Sequence, residues 1–83
     1  MKDTLNIRIK NQETSLPRVL RVINRQGHSV QKLTMTMSRE CTHMDLVIEL
    51  DCLNVPEQLV KLLEKQVEVE SADTASRLAS LGV

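Results

Sequence analysis

The chain has 83 residues, enough for one small domain with a modest core and no second domain. Its 11 basic and 11 acidic residues cancel, so no net field draws it to phosphate or to an anionic membrane. With no Phe, Trp or Tyr it also lacks the rings on which nucleic-acid bases stack, so neither nucleic acid nor membrane is an expected partner.

Leu5-Asn6-Ile7-Arg8-Ile9 alternates as a half-buried strand does, with Leu5, Ile7 and Ile9 on the core face. A polar loop follows and becomes an amphipathic helix. Leu16, Val19, Leu20 and Ile23 recur at helical spacing and form its apolar stripe, while Arg18, Arg21 and Arg25 lie on the opposite side. Thr14 or Ser15 is suited to cap the first turn, Pro17 is tolerated there, and Gly27 fits a left-handed C-terminal cap.

Val30 opens a second strand in which Leu33, Met35 and Met37 share one face and Lys32, Thr34 and Thr36 the other. Val30 is out of phase with the later three, so a bulge or strand start is expected near Gln31. A short polar turn at 38–43 leads into the clearest strand, where Met44, Leu46, Ile48 and Leu50 alternate with Asp45, Val47, Glu49 and Asp51. Asn54-Val55-Pro56-Glu57 has the form of a capping box and starts a second helix with Leu59, Leu62 and Leu63 inward, ending near Lys65. Val67 and Val69, alternating with Glu68 and Glu70, predict a short fourth strand. From Ser71 onward only a weak helical period remains, at Ala75, Leu78 and Ala79.

The order strand, helix, strand, strand, helix, strand is that of an α+β, ferredoxin-like βαββαβ two-layer sandwich: a four-stranded antiparallel sheet with both helices on one face. The open face is expected to carry Arg8, Thr34, Thr36, Val47, Glu49 and Glu68. The strand from Val30 to Met37 is then an edge, and dimerisation through that edge would cover it. Met35, Met37 and Met44 fit core or dimer packing better than a metal site.

Cys41 and Cys52 lack zinc-ligand spacing and are expected to be free thiols. No run approaches the length of a membrane span and no signal sequence precedes the domain, which predicts a cytoplasmic protein. The loop after the first strand has none of the thiols of metal carriers of this shape. No nucleophile with a base, carboxylate pair or glycine-rich phosphate cradle can be assembled either, so no catalytic residue, metal or cofactor is expected.

From Leu5 to Leu33 the residues Asn11, Leu16, Arg18-Val19, Gly27-His28-Ser29-Val30 and Leu33 carry a family likeness. The chain resembles the ACT-domain family, in particular the regulatory (small) subunits of acetolactate synthase, also called acetohydroxyacid synthase. Those subunits have N-x-x-G-x-L-x-R-V after the first strand and R-G-[aromatic]-N-I-x-x-L after the helix. The one-domain form that accompanies isozyme II has an E-T-L-x-R-V-L-R-V run, against Glu13-Thr14-Ser15-Leu16-Pro17-Arg18-Val19-Leu20-Arg21-Val22 here. The resemblance extends to Val69, by pattern more than identity after Met37.

It implies an ACT domain over residues 1–71, followed by a tail at 72–83. The implied role is a non-catalytic partner that activates the large catalytic subunit, which would itself hold the thiamine diphosphate, flavin and magnesium. In valine-sensitive members the inhibitor sits between two ACT domains, near the loop before the first helix and the start of the second strand. Carried over, that site comprises Asn11, Gln12, Thr14, Ser15, Leu16, Ser29 and Val30.

Two departures stand out: Thr14 replaces the loop glycine and Ser29 the later asparagine. Threonine disfavours positive φ and fills space, and serine lacks an amide's paired donor and acceptor, so valine feedback is expected to be weak or lost. Independently of the resemblance, amides at a helix N-terminus favour a carboxylate. The plainer role of Asn11, Thr14 and Ser15 is to make the turn and cap the helix. Likewise Arg18, Arg21 and Arg25 serve either as a solvated face or as the contact with the catalytic partner. A free-standing amino-acid sensor dimer is the alternative.

Overall fold

Strict alternation in two segments generates the centre of the sheet. In a computed structural model that describes residues 3–76, β1 (Thr4–Lys10), α1 (Ser15–Arg25), β2 (Val30–Met37), β3 (His43–Leu50), α2 (Glu57–Glu64) and β4 (Val69–Thr74) follow in the expected order. The strands pair antiparallel in the order β2-β3-β1-β4. Two layers result, the ferredoxin-like α+β arrangement. β1 and β3 occupy the middle, so every inward residue on them from Leu5 to Ile9 and from Met44 to Leu50 is buried. Against them pack Val19 and Ile23 of α1 and Leu59, Val60 and Leu63 of α2, an entirely aliphatic core. Among the described residues no helix is long and apolar enough to cross a membrane.

Gly27 ends α1 as its position predicts. At φ +82° it lets its own N–H reach the Asn24 carbonyl (3.0 Å) and the His28 N–H reach the Ile23 carbonyl (3.2 Å), the paired bonds of a Schellman motif. The β2–β3 register slips between Val30 and Lys32, which places the expected bulge at Gln31. Cys41 and Cys52 are free; they flank opposite ends of β3.

Several expectations need correction. Neither helix has the side-chain cap proposed for it. Thr14 makes no capping hydrogen bond, and the cap position before α2 is Pro56, which is extended, so the Asn54–Glu57 box does not form. Ser15 is instead fully buried with its hydroxyl unpartnered. The inward residues of α1 are Ser15, Val19 and Ile23, with Leu16 and Leu20 half-buried, and those of α2 are Leu59, Val60 and Leu63 rather than Leu62.

The fourth strand starts at Val69, not Val67. The turn after α2, closed by Gln66 N–H to Leu63 O and Val69 N–H to Gln66 O, uses up the intervening residues and leaves Val67 80% exposed. Glu68 therefore leaves the open face and turns to Arg18, while Glu70 joins Arg8 there. β4 runs on to Thr74, so a domain boundary after 71 cuts a strand whose Ala72 and Thr74 are buried. The part of the expected tail at 77–83 lies outside the described residues.

Asp3, without any local sequence signal, closes the structure at the end opposite the β1–α1 corner. It is 4% exposed, and its carboxylate accepts from the N–H groups of Thr4 (3.0 Å), Val55 (3.0 Å) and Ser76 (3.1 Å) and from the Ser76 hydroxyl (2.7 Å). Burial alone would raise its pKa. The hydrogen bonds from Val55, Ser76 and Thr4 outweigh burial and hold the carboxyl below its ordinary value.

Candidate functional site

The corner where β1 turns into α1 concentrates the predicted residues. Asn11 is tied to the β2–β3 turn twice: its N–H donates to the Thr42 carbonyl (2.9 Å) and its side-chain amide to the Cys41 carbonyl (2.8 Å). Cys41 sits in the left-handed region (φ 59°), and this aims its carbonyl at the loop. Gln12 folds the loop back, its N–H to Lys10 O and its carbonyl receiving the Ser15 N–H. Thr14 then starts the helical hydrogen bonding by accepting from the Arg18 N–H at 3.1 Å.

Beside this corner lies an open groove of about 300 Å³ lined by Glu13, Thr14, Pro17, Arg18 and Arg21. It joins part of the predicted effector loop to two of the three predicted partner-binding arginines. Arg18 is held at 3.6 Å from the partly buried Glu68; Arg21 and Arg25 are exposed on the same helix. The groove is flanked by charges of both signs and by the N-terminal turn of an 11-residue helix, whose dipole favours a carboxylate there although the Ser15 N–H is already given to Gln12 and Pro17 has none.

Ser29 and Val30 are not at this corner. They lie at the far end of β2, where Val30 pairs with Leu50 and the Ser29 N–H donates to Asp51 (3.2 Å). The turn that holds Asn11 follows Met37, and seven strand steps separate Val30 from Met37, about 23 Å. Within one chain, therefore, Asn11, Gln12, Thr14, Ser15 and Leu16 stand together and Ser29 and Val30 stand apart.

Glu13 and Pro17 in the groove wall, and Cys41 and Thr42 behind Asn11, were not foreseen. The charge at Glu13 offered a local cue to the first. The hairpin contact is 30 residues away in sequence and offered none.

The open face of the sheet carries a chain of half-exposed polar side chains: Asp45 and Glu70 flank Arg8 at 3.6 and 3.4 Å, and His43 Nε2 lies 2.6 Å from Glu70. Such solvated pairs contribute little to stability. Burial, aided by the Asp51 and Asp3 carboxylates, pushes the Cys52 thiol up and so disfavours its thiolate. Among the described residues no group of His, Cys, Asp and Glu could hold a metal ion.

Residues 11–72 match a family model described as the ACT domain. Among solved structures, the chain is similar to the ACT domain from GTP pyrophosphokinase of Chlorobium tepidum, with 11% identity, a TM-score of 0.69, and coverage of 87% of this chain and 94% of that one. It is similar too to the C-terminal domain of the MgtC protein from Mycobacterium tuberculosis, with 10% identity, a TM-score of 0.66, and coverage of 87% and 82%. At these identities the likeness is one of fold. A comparison with curated protein sequences found no match.

Proposed function

The chain belongs to the ACT-domain family of regulatory modules, and from that premise we propose that it is the non-catalytic regulatory subunit of a heteromeric acetolactate synthase. It would act in the cytoplasm as a homodimer joined through the sheet edge, activating the large catalytic subunit in branched-chain amino-acid biosynthesis. The observation that carries this reading is the β1–α1 corner. There Asn11 is anchored, Thr14 and Ser15 open α1, and Arg18 and Arg21 extend the same surface, over the stretch whose sequence motif carries the resemblance described above.

Arg18, Arg21 and Arg25 supply the contact with the catalytic partner; three guanidinium groups on one exposed helix face suit an acidic surface. An amino-acid effector, where one binds, presents its carboxylate to the helix N-terminus. Its binding shifts activity only in so far as it prefers one arrangement of the dimer over another. Thr14 lines the groove with a side chain where the family's loop glycine has none, which supports weak or absent valine feedback.

The test is co-expression with the acetolactate synthase large subunit of the source organism. Co-elution and stimulated acetolactate formation, reduced by replacing Arg18, Arg21 and Arg25 together with Ala, support the reading. A large subunit equally active without this chain overturns it. Tight binding of an amino acid by the isolated chain, with no effect on that enzyme, would favour a free-standing sensor.

A further inference from the structure

Val67 is the most exposed large apolar side chain among the described residues, 80% open to solvent. Leu53, at 69%, comes next and lies at the opposite end of the sheet, beside Asp3. The backbone on either side of Val67 is tied down. Before it, the Gln66 N–H donates to the Leu63 carbonyl at 3.0 Å and the Gln66 side-chain amide to the Leu62 carbonyl at 3.2 Å, which fastens the turn to the end of α2. After it, the Glu68 carbonyl accepts from the Lys10 N–H at 2.9 Å, and the Val69 N–H donates to the Gln66 carbonyl at 3.1 Å.

The Glu68 side chain is 13% exposed and lies 3.6 Å from Arg18, so the turn is also braced against α1. A β-branched side chain with one stiff χ1, on a backbone held this firmly, loses little further freedom when something covers it. The same brace joins Val67 to the Asn11 corner: Arg18 belongs both to the groove and to this turn, and Lys10, held by the turn, precedes Asn11. With Glu68 occupied by Arg18, the exposed charges on the end of β1, the loop after it, the first turns of α1 and the end of α2 are Lys10, Arg21 and Lys65 against Glu13 and Glu64, a positive balance.

Resting on the subunit role proposed above, we infer that the α2–β4 turn is a docking element for the catalytic partner, with Val67 as its anchor. The side chain enters an apolar pocket on that partner, rimmed by carboxylates that meet Lys10, Arg21 and Lys65. A second copy of this chain fits less well, because a two-fold contact centred on Val67 collects the same positive groups from both copies.

The test uses the full chain and the acetolactate synthase large subunit of the source organism, with the dissociation constant read from titrated stimulation of acetolactate formation. Val67→Ala should raise that constant about tenfold and Val67→Asp at least about a hundredfold, since the new carboxylate meets an apolar pocket with an acidic rim. Leu53→Ala, at the opposite end, should leave it unchanged. All three variants should keep the wild-type midpoint in urea, because neither residue belongs to the core.

The outcomes separate the two claims. A wild-type chain that neither binds nor stimulates the large subunit overturns the subunit role and the docking element together. Stimulation by the wild type that Val67→Ala and Val67→Asp reproduce at the same constant overturns the docking element alone, as does a Leu53→Ala chain that loses as much affinity as Val67→Ala. Sedimentation of the isolated chain reads the other occupant: a Val67→Asp substitution that breaks up the chain's own dimer overturns the assignment to the catalytic partner.

Discussion

Asp3 is the residue whose removal should reveal most about how the domain is closed. Its carboxylate has four donors around it, two on each oxygen, drawn from the start of β1, the segment before α2 and the residue pair after β4. In Asp3→Asn one oxygen remains to serve two donors, while the new NH₂ faces the Val55 N–H and the Ser76 hydroxyl. The hydroxyl can rotate and accept; the buried Val55 N–H cannot. With hydrogen bonds to a charged acceptor at about 1.5–3 kcal/mol each, Asp3→Asn, which strands one donor, should cost about 2 kcal/mol, and Asp3→Ala, which strands three backbone N–H groups, at least about 4.5 kcal/mol. Domains of this size total roughly 4–12 kcal/mol, so both losses are large.

The sign with pH follows from the lowered pKa. The folded state prefers the ionised group, so the stabilisation is complete above the unfolded value of about 3.9 and drains away as pH falls through the lower folded value. Urea unfolding followed by far-ultraviolet circular dichroism between pH 2 and pH 7 measures this directly. The gap between wild type and Asp3→Asn should be widest near neutrality and shrink in acid. A gap below about 0.5 kcal/mol at pH 7, or one that does not change with pH, would refute the reasoning.

Ser15→Ala should raise stability by about 1 kcal/mol in urea unfolding, because it deletes a buried hydroxyl that has no hydrogen-bond partner. Gly27→Ala should cost about 1 kcal/mol in the same assay; open space surrounds the position, so the penalty comes from its positive φ alone. Leu59→Ala should lower stability by about 3 kcal/mol and Leu62→Ala by clearly less, which separates the buried residue of α2 from the half-buried one. If the proposed subunit role holds, Thr14→Gly should increase the response of acetolactate synthase reconstituted with this chain to valine at least about tenfold, worth about 1.4 kcal/mol of coupling, read from inhibition curves.

The parts of the fold that could be read from the sequence are those where burial differs sharply between faces. β1 and β3 alternate cleanly because they lie mid-sheet, with a helix layer on one side and solvent on the other. The bulge at Gln31 was visible because Val30 breaks the phase of Leu33, Met35 and Met37. Where tertiary contacts override local preference, the signal failed. Val67, Glu68 and Val69 alternate like a strand, yet the exit from α2 needs Val67 and Glu68 for its turn, and only Val69 enters β4. Asn54 and Glu57 resemble a capping box, but Pro56 is extended and the helix begins only at Glu57, while the Val55 N–H between them goes to Asp3, 52 residues away. The candidate site divides along the same line. The contiguous run from Asn11 to Leu16 forms a single corner, whereas the distance to Ser29 and Val30 depends on strand order, which no local pattern encodes.

The knot of hydrogen bonds around Asp3 also fixes the direction in which anything attached to the domain must leave. Residues 3 and 76 sit side by side at the end of the sheet away from Asn11. A fluorophore, affinity handle or fused protein carried on the chain before residue 3 or after residue 76 starts from that end. Surface immobilisation through such a tether leaves the Asn11 corner facing the flow, and a short peptide joining the two positions would let the chain be reopened at an exposed loop elsewhere.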